Sequence, residues 1–166
     1  MLVRERSMRV ALLSPADARQ YRALMLHAYE QAADAFTSTV EERAVEPASW
    51  WRARIADPTG MAVAFGAFQG VELVGAVALE FSAKPKTRHK ALLIGMYVLP
   101  DWRGSGAARA LLQATIDRCK SRGDILVMQL TVTDGNEPAV ALYRGSSAEF
   151  VGGFSQSAVV GWLRKR

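Results

Sequence analysis

Arg103, Gly104, Ser105 and Gly106 lie between an apolar run ending in proline, "ALLIGMYVLP" (91–100), and a pattern that predicts a helix over 104–122, closed by Gly123. The start of that helix carries Arg103 and Arg109 and no acid before Asp117. A helix N-terminus is partially positive, and Asp or Glu usually occupies its first turn. A first turn without an acid suits an anion supplied from outside the chain. Ser105, Ala107 and Ala108 leave the backbone amides open to such an anion. Gly104 and Gly106 permit positive φ and close approach, and Arg103 and Arg109 would add charge-assisted contacts. A glycine turn with a helix cap and no ligand would not require the acids to be missing.

Other glycine chemistries fit less well. A phosphate-binding P-loop needs G-x-x-x-x-G-K-[ST], and no lysine follows Gly106. A dinucleotide fingerprint needs a third small residue where Arg109 stands, and it opens a fold earlier in the chain than this turn does.

The surrounding elements must hold this turn at the end of a sheet. "MRVALL" (8–13) predicts a strand. Ser14 caps a helix with Pro15 at its first position, and Tyr21, Leu24, Met25, Ala28 and Ala32 recur at helical spacing. "TSTVEERAVEP" (37–47) is polar and reads as a loop, and "PASWWRARIADP" (47–58) as a short helix ending before Pro58. "MAVAFGAF" (61–68) and "LVGAVALEF" (73–81) predict a hairpin, and 82–88 a basic loop. "HKALLIGMYVL" (89–99) and "ILVMQLTVT" (125–133) predict strands, the second of the buried kind. "NEPAVALYR" (136–144) predicts a short helix capped by Asn136, and 149–163 one or two final strands. Early hairpins followed by crossovers imply an α/β fold, with a mixed, mostly antiparallel sheet of six to seven strands and helices on both faces. The length of 166 residues predicts one domain over 1–166.

"VLPDWRGSGAARALL" (98–112) resembles the acetyl-CoA motif of the GNAT superfamily of N-acetyltransferases, [R/Q]-x-x-G-x-[G/A], with Arg103, Gly106 and Ala108 at the fixed places and Val98-Leu99-Pro100 before them. A second stretch, Asn136, Ala139, Leu142 and Tyr143, is similar to that family's N-x-x-A-x-x-L-Y signature. The resemblance implies that Arg103 through Arg109 hold the pyrophosphate of CoA. It implies that Asn136 and Ala139 adjoin the pantetheine arm, and that the Tyr143 hydroxyl lies near the sulfur. Met96, Tyr97 and Val98 would then sit where a strand splays open and offers backbone groups to pantetheine. Two features depart from the family pattern. Tyr143 is followed by "RGSSAEF" rather than x-x-x-Gly-Phe, and the strand "KALLIGMYV" lacks the early glutamate that serves many relatives as base. Those departures keep a second reading open, a non-catalytic module that senses acetyl-CoA.

Acetyl transfer from a thioester to an amine requires a deprotonated amine, a stabilised oxyanion and a proton for the departing thiolate. By the resemblance, amides around Met96–Val98 polarise the carbonyl and Tyr143 supplies the proton. For the base, Glu80 ends a strand that should neighbour the cofactor strand, and burial would raise its pKa. His89 opens the cofactor strand and has a suitable ordinary pKa, whereas His27 reads as structural. A base acting through a water chain is a further possibility. Phe36, Trp50 and Trp51 offer an apolar wall for the acceptor, and Glu41 and Glu42 could attract its cation. The basic loop 84–90 suits the 3′-phosphate of CoA or an acidic substrate.

Bulk properties narrow the class. Half the residues are apolar (50%) and the charge is +5, which fits an anionic ligand. The basic residues are scattered, with no aromatic platform and no zinc spacing, so neither nucleic acid nor a metal is expected. The single cysteine, Cys119, suits a reducing compartment. The N-terminal apolar run is too short for a secretory signal and no stretch is long enough to cross a membrane, so a cytoplasmic protein is expected. The acceptor would be a small-molecule or peptide amine. The apolar "SAVVGWL" (157–163) is a candidate for pairing in a homodimer.

Overall fold

The computed structural model describes residues 8–33, 36, 38–133, 141–143, 149–155 and 158–164. In chain order the elements are β1 (Arg9–Leu12), α1 (Ala18–Gln31), α2 (Val40–Ala44), α3 (Ala48–Ile55), β2 (Ala62–Gln69), β3 (Glu72–Phe81), β4 (Lys90–Val98), α4 (Ala107–Ser121), β5 (Val127–Thr133), β6 (Glu149–Ser155) and β7 (Ala158–Arg164). The strands form one seven-stranded sheet in the order β1-β2-β3-β4-β5-β7-β6. Every neighbouring pair is antiparallel except β4 and β5, which run parallel. This is the mixed, mostly antiparallel architecture that the sequence implies.

Helices cover both faces. On one, Leu111, Leu112 and Ile116 of α4 pack against Val74, Val77 and Leu79 of β3 and Leu93 of β4. On the other, Tyr21, Leu24 and Met25 of α1 and Trp51 and Ile55 of α3 pack against Ala76 and Ala78 of β3 and Tyr97 of β4. Of the adjacent tryptophans, Trp51 enters the core and Trp50 stays half-buried. Gly75 makes the α4 contact possible, since a Cβ there would lie 3.2 Å from the Tyr97 carbonyl oxygen and 3.3 Å from Leu111 Cδ1.

Three boundaries differ from expectation. The helix predicted from residue 104 begins at Ala107, because Gly104 and Gly106 both take positive φ, at 76° and 89°. The segment 37–47, read as a loop, contains α2, whose first turn is closed by Thr39 accepting from the Glu42 amide at 3.1 Å. Five polar-rich residues carry too little periodicity to reveal a helix. The helix expected directly at Pro15 opens as a 3-10 turn (Pro15–Asp17) in which the Ser14 amide donates to the Asp17 carboxylate at 2.8 Å. The last two strands both form, and β7 has a neighbour on each side. As an inner strand it is paired within the chain on both edges, with β5 and with β6.

Leu111 is fully buried between α4 and the sheet. Leu111→Ala is expected to lower unfolding stability by about 2–5 kcal/mol, read as a fall in urea midpoint at constant m-value.

Candidate active site

The site begins with a fault in the sheet. β4 pairs with β5 only through Lys90, Ala91 and Leu92, opposite Val127, Met128 and Gln129. Beyond Leu92 the two strands part, and β5 continues along β7 instead. On its other side β4 stays paired with β3 through a bulge: Ala76 faces Tyr97 and Ala78 faces Ile94, so Gly95 and Met96 together oppose Val77. Gly95 takes φ of 64°, a conformation that side chains disfavour. A Cβ at that position would meet Met25 Cε at 3.3 Å.

The extra residue reverses the side-chain alternation. Leu93 packs toward α4, yet Tyr97, four residues on, packs toward α1, while Met96 and Val98 turn to the α4 side. The opening thus exposes the β5-facing edge of β4 around Met96–Val98, the segment expected to meet pantetheine.

β4 runs directly at the start of α4. Gly106 caps α4 in the left-handed region with no side-chain cap and no acid in the first turn. Nothing lies within 4 Å of where a Cβ would stand on Gly104 or Gly106. The first-turn amides of Ala107, Ala108 and Arg109 have no partner within the helix and give onto this open space. The Ser105 hydroxyl donates back to the Trp102 carbonyl and tightens the turn. Arg109 is exposed on the first turn. Arg103 instead reaches back, its Nε donating to the Val98 carbonyl at 3.3 Å with its guanidinium 5.7 Å from the Tyr97 ring centre. It ties the turn to the end of the opened strand.

The remaining candidates separate into near and far groups. Glu80 stands opposite Leu92 in the β3–β4 register, early in the strand where the resemblance expects a glutamate. Its carboxylate accepts from Arg54 at 3.3 Å and keeps a side-chain exposure of 43%. Phe36 packs edge-on against Tyr29 at 5.3 Å and near Tyr97 at 6.4 Å, on the α1 face beside the bulge. Trp50 lies under two guanidinium groups, Arg43 at 4.7 Å and Arg54 at 5.4 Å. His89 is not part of this grouping. It precedes β4 at the opposite end from the glycine turn, roughly 23 Å from Met96 at the rise of an extended strand, and its carbonyl accepts from the Leu126 amide. Glu41 and Glu42 are exposed on α2, and Arg43 is the α2 residue that meets Trp50.

One contact escaped the sequence reading. His27 Nδ1 and the Tyr97 hydroxyl are 2.9 Å apart, bridging α1 and β4 on the α1 side of the bulge. Only the bulge turns Tyr97 toward α1, so strict alternation gives no hint of this pair.

The model of the acetyltransferase (GNAT) family matches residues 24–146, from α1 through Tyr143. The chain belongs to the GNAT acetyltransferase family. It is similar to the L-amino acid N-acetyltransferase AaaT of Escherichia coli, 28% identical over 102 residues, a match that spans 61% of this chain and 62% of that relative. Among solved structures, a GNAT-family acetyltransferase from Streptococcus pneumoniae superposes with a TM-score of 0.81 at 19% identity, covering 96% of this chain and all of that one (100%). PaiA N-acetyltransferase from Thermoplasma acidophilum, solved with coenzyme A, gives 0.69 at 19% identity over 96% and 99% of the two chains. YncA from Salmonella typhimurium, solved with acetyl-CoA, gives 0.72 at 18% identity over 96% and 94%. At these identities the superpositions establish a shared fold.

Of the family's second signature, Asn136 and Ala139 lie outside the described residues, while residues 141–143 are helical. Tyr143 is buried and joins the α4-side core, with Leu142 packed against the same cluster. Burial pushes the Tyr143 phenol up to about 12, so it holds its proton across the neutral range. A GNAT enzyme can use such a group to donate a proton and not to accept one. Tyr21 is likewise pushed up to about 12 by burial, against the opposing pull of Arg54 and Arg43. Both native values exceed the unfolded value of 10.0, so the native state retains protons that the unfolded chain has lost. Between pH 10 and 12, stability therefore falls with rising pH, by about 1.4 kcal/mol per pH unit for each group. In an ultraviolet titration, Tyr143→Phe should remove one tyrosinate transition near pH 12 and make the alkaline loss of stability shallower.

Proposed function

We propose that this chain is an acetyl-CoA-dependent N-acetyltransferase that moves an acetyl group directly to a primary amine in a ternary complex. The observation that carries the reading is the parting of β4 from β5 after Leu92, directly ahead of an acid-free helix start. The residues fit the cofactor: the α4 amides with Gly104, Ser105, Gly106, Ala107 and Ala108 would hold the pyrophosphate, with Arg109 beside it. The opened edge at Met96, Tyr97 and Val98 would hold the pantetheine arm, to which the family resemblance adds Asn136 and Ala139. When bound, acetyl-CoA supplies the activated acetyl group.

The chain's own residues would do the rest. Glu80 takes a proton from the acceptor's ammonium, directly or through water, and frees the lone pair for attack. The backbone amides of Met96–Val98 stabilise charge on the thioester oxygen. Tyr143 gives its proton to the departing sulfur and is reprotonated from solvent, while the new amide nitrogen loses its second proton to solvent. Glu80 fits the base role because it faces Leu92, early in the opened strand. AaaT is named an L-amino acid N-acetyltransferase, which makes small amino-bearing molecules the first acceptors to try.

Isothermal titration of acetyl-CoA into the wild type and Gly106→Glu tests the anion seat. The wild type is expected to bind, and the folded variant to bind at least about 100-fold more weakly, because its carboxylate occupies the helix terminus. Equal binding by both would sink the assignment. Glu80→Gln should lower kcat about 10²–10³-fold while leaving acetyl-CoA affinity in place, as measured by thiol release on a panel of primary amines.

A further inference from the structure

The α1 face of the bulge carries more positive charge than the described residues neutralise. Arg43 of α2 and Arg54 of α3 both lie over the Trp50 ring. Arg54 pairs with Glu80 at 3.3 Å. Arg43 donates to the Ser38 hydroxyl at 2.7 Å, and no described carboxylate lies within ion-pairing distance of it. Its Nε is buried without a hydrogen-bond partner, as is Nε1 of the neighbouring Trp51, itself fully buried. A guanidinium that is half-buried and lacks an anion is costly to maintain without compensation. Its planar fork suits the bidentate capture of a carboxylate.

The cluster borders the opened strand. Arg54 is paired with Glu80, which stands opposite Leu92 of β4 in the register, and the Tyr21 hydroxyl on the same face lies 3.7 Å from where a Cβ on Gly95 would stand. Arg43, Arg54 and Glu80 therefore form a set of two cations and one anion on the face of β4 opposite α4. That set complements a molecule bearing an ammonium and a carboxylate.

We infer that the acceptor is a zwitterionic amino acid, whose carboxylate is seated on Arg43 and whose ammonium faces Glu80, with Trp50 as the apolar wall beside them. The inference rests on the acetyltransferase reading and extends it by assigning a residue to each charge of the acceptor. Arg54 is the hinge of the arrangement, since it holds Glu80 in place while sharing the Trp50 ring with Arg43.

The test compares three acceptors of the same carbon skeleton: L-leucine, L-leucinamide and isoamylamine. The amide and the plain amine are the more readily deprotonated or the less hindered, so intrinsic reactivity does not favour the amino acid. The wild type is expected to prefer L-leucine over L-leucinamide by about 10–100-fold in kcat/KM, the range of a charge-assisted pair. In Arg43→Gln this acid-to-amide ratio should collapse toward one, with the loss expressed in the KM for L-leucine and the KM for acetyl-CoA unmoved. Arg43→Lys, which keeps charge without the fork, should give an intermediate ratio, and it is the variant to read if the glutamine form does not fold. A wild type that acetylates isoamylamine or the amide as well as the acid overturns the carboxylate seat and leaves the acetyltransferase reading standing. An unchanged ratio in Arg43→Gln or Arg43→Lys does the same. A wild type that acetylates none of the three, nor any amine of a wider panel, overturns both.

Discussion

The bulge at Gly95 is the constraint from which the site follows. One extra residue in β4 at a positive φ reverses the faces of every side chain after it. Tyr97 turns to α1 and reaches His27, while Met96 and Val98 turn to the α4 side. The irregularity lies just beyond Leu92, the last β4 residue paired with β5. A regular strand would continue the parallel ladder and close the gap, satisfying its own backbone groups with β5. The sheet forgoes those pairs, and backbone groups without sheet partners are what a pantetheine amide can use. Met25 and Tyr21 pack close to Gly95 from α1, so the bulge is held from outside and does not depend on the glycine alone.

What the sequence makes legible follows from the range over which each signal acts. The helix-start chemistry of Gly104, Gly106, Arg103 and Arg109 is local, and the residues stand at the turn as read. The continuous apolar runs of β2, β3 and β4 and the turn residues between them locate the sheet. The opening of β4 around Val98 was legible through the resemblance, although no alternation pattern encodes it. Arg103 was legible as a cation but not as the group that ties the turn to Val98, since that depends on the approach angle of β4 to α4. His89 shows what adjacency in sequence leaves open, because it precedes β4 at the end away from the glycine turn. The contacts of His27 with Tyr97 and of Arg43 with Trp50 were illegible. Each is made across the fold, and α2 is too short for its periodicity to register.

The sheet divides the chemistry into two sides with β4 as the seam. On the α4 side lie the helix terminus and the buried Tyr143, a group that can only donate a proton at neutral pH. On the α1 side lie Glu80, Arg54, Arg43 and Trp50, where charge is concentrated and partly exposed. This separation is chemically useful. A proton must leave the acceptor nitrogen and another must reach the sulfur, and a single shared group would have to do both. In the proposed mechanism, a protonated phenol and a carboxylate on opposite sides of one opened strand would keep the two transfers apart.

The same division explains why the acidic and basic groups are not interchangeable between sides. On the proposed reading, a carboxylate near the α4 terminus would compete with the pyrophosphate for the helix field, in keeping with a first turn that has no acid before Asp117. On the α1 face the requirement is reversed, since an amine acceptor arrives as a cation and needs an anion near the seam. Glu80 alone would be drawn into a closed pair by Arg54. A second guanidinium over the same Trp50 ring changes the balance by leaving the cluster with one positive charge to spare. Among the described residues, that surplus would let a ligand carboxylate enter without displacing Glu80 from Arg54, as the proposed acceptor site requires.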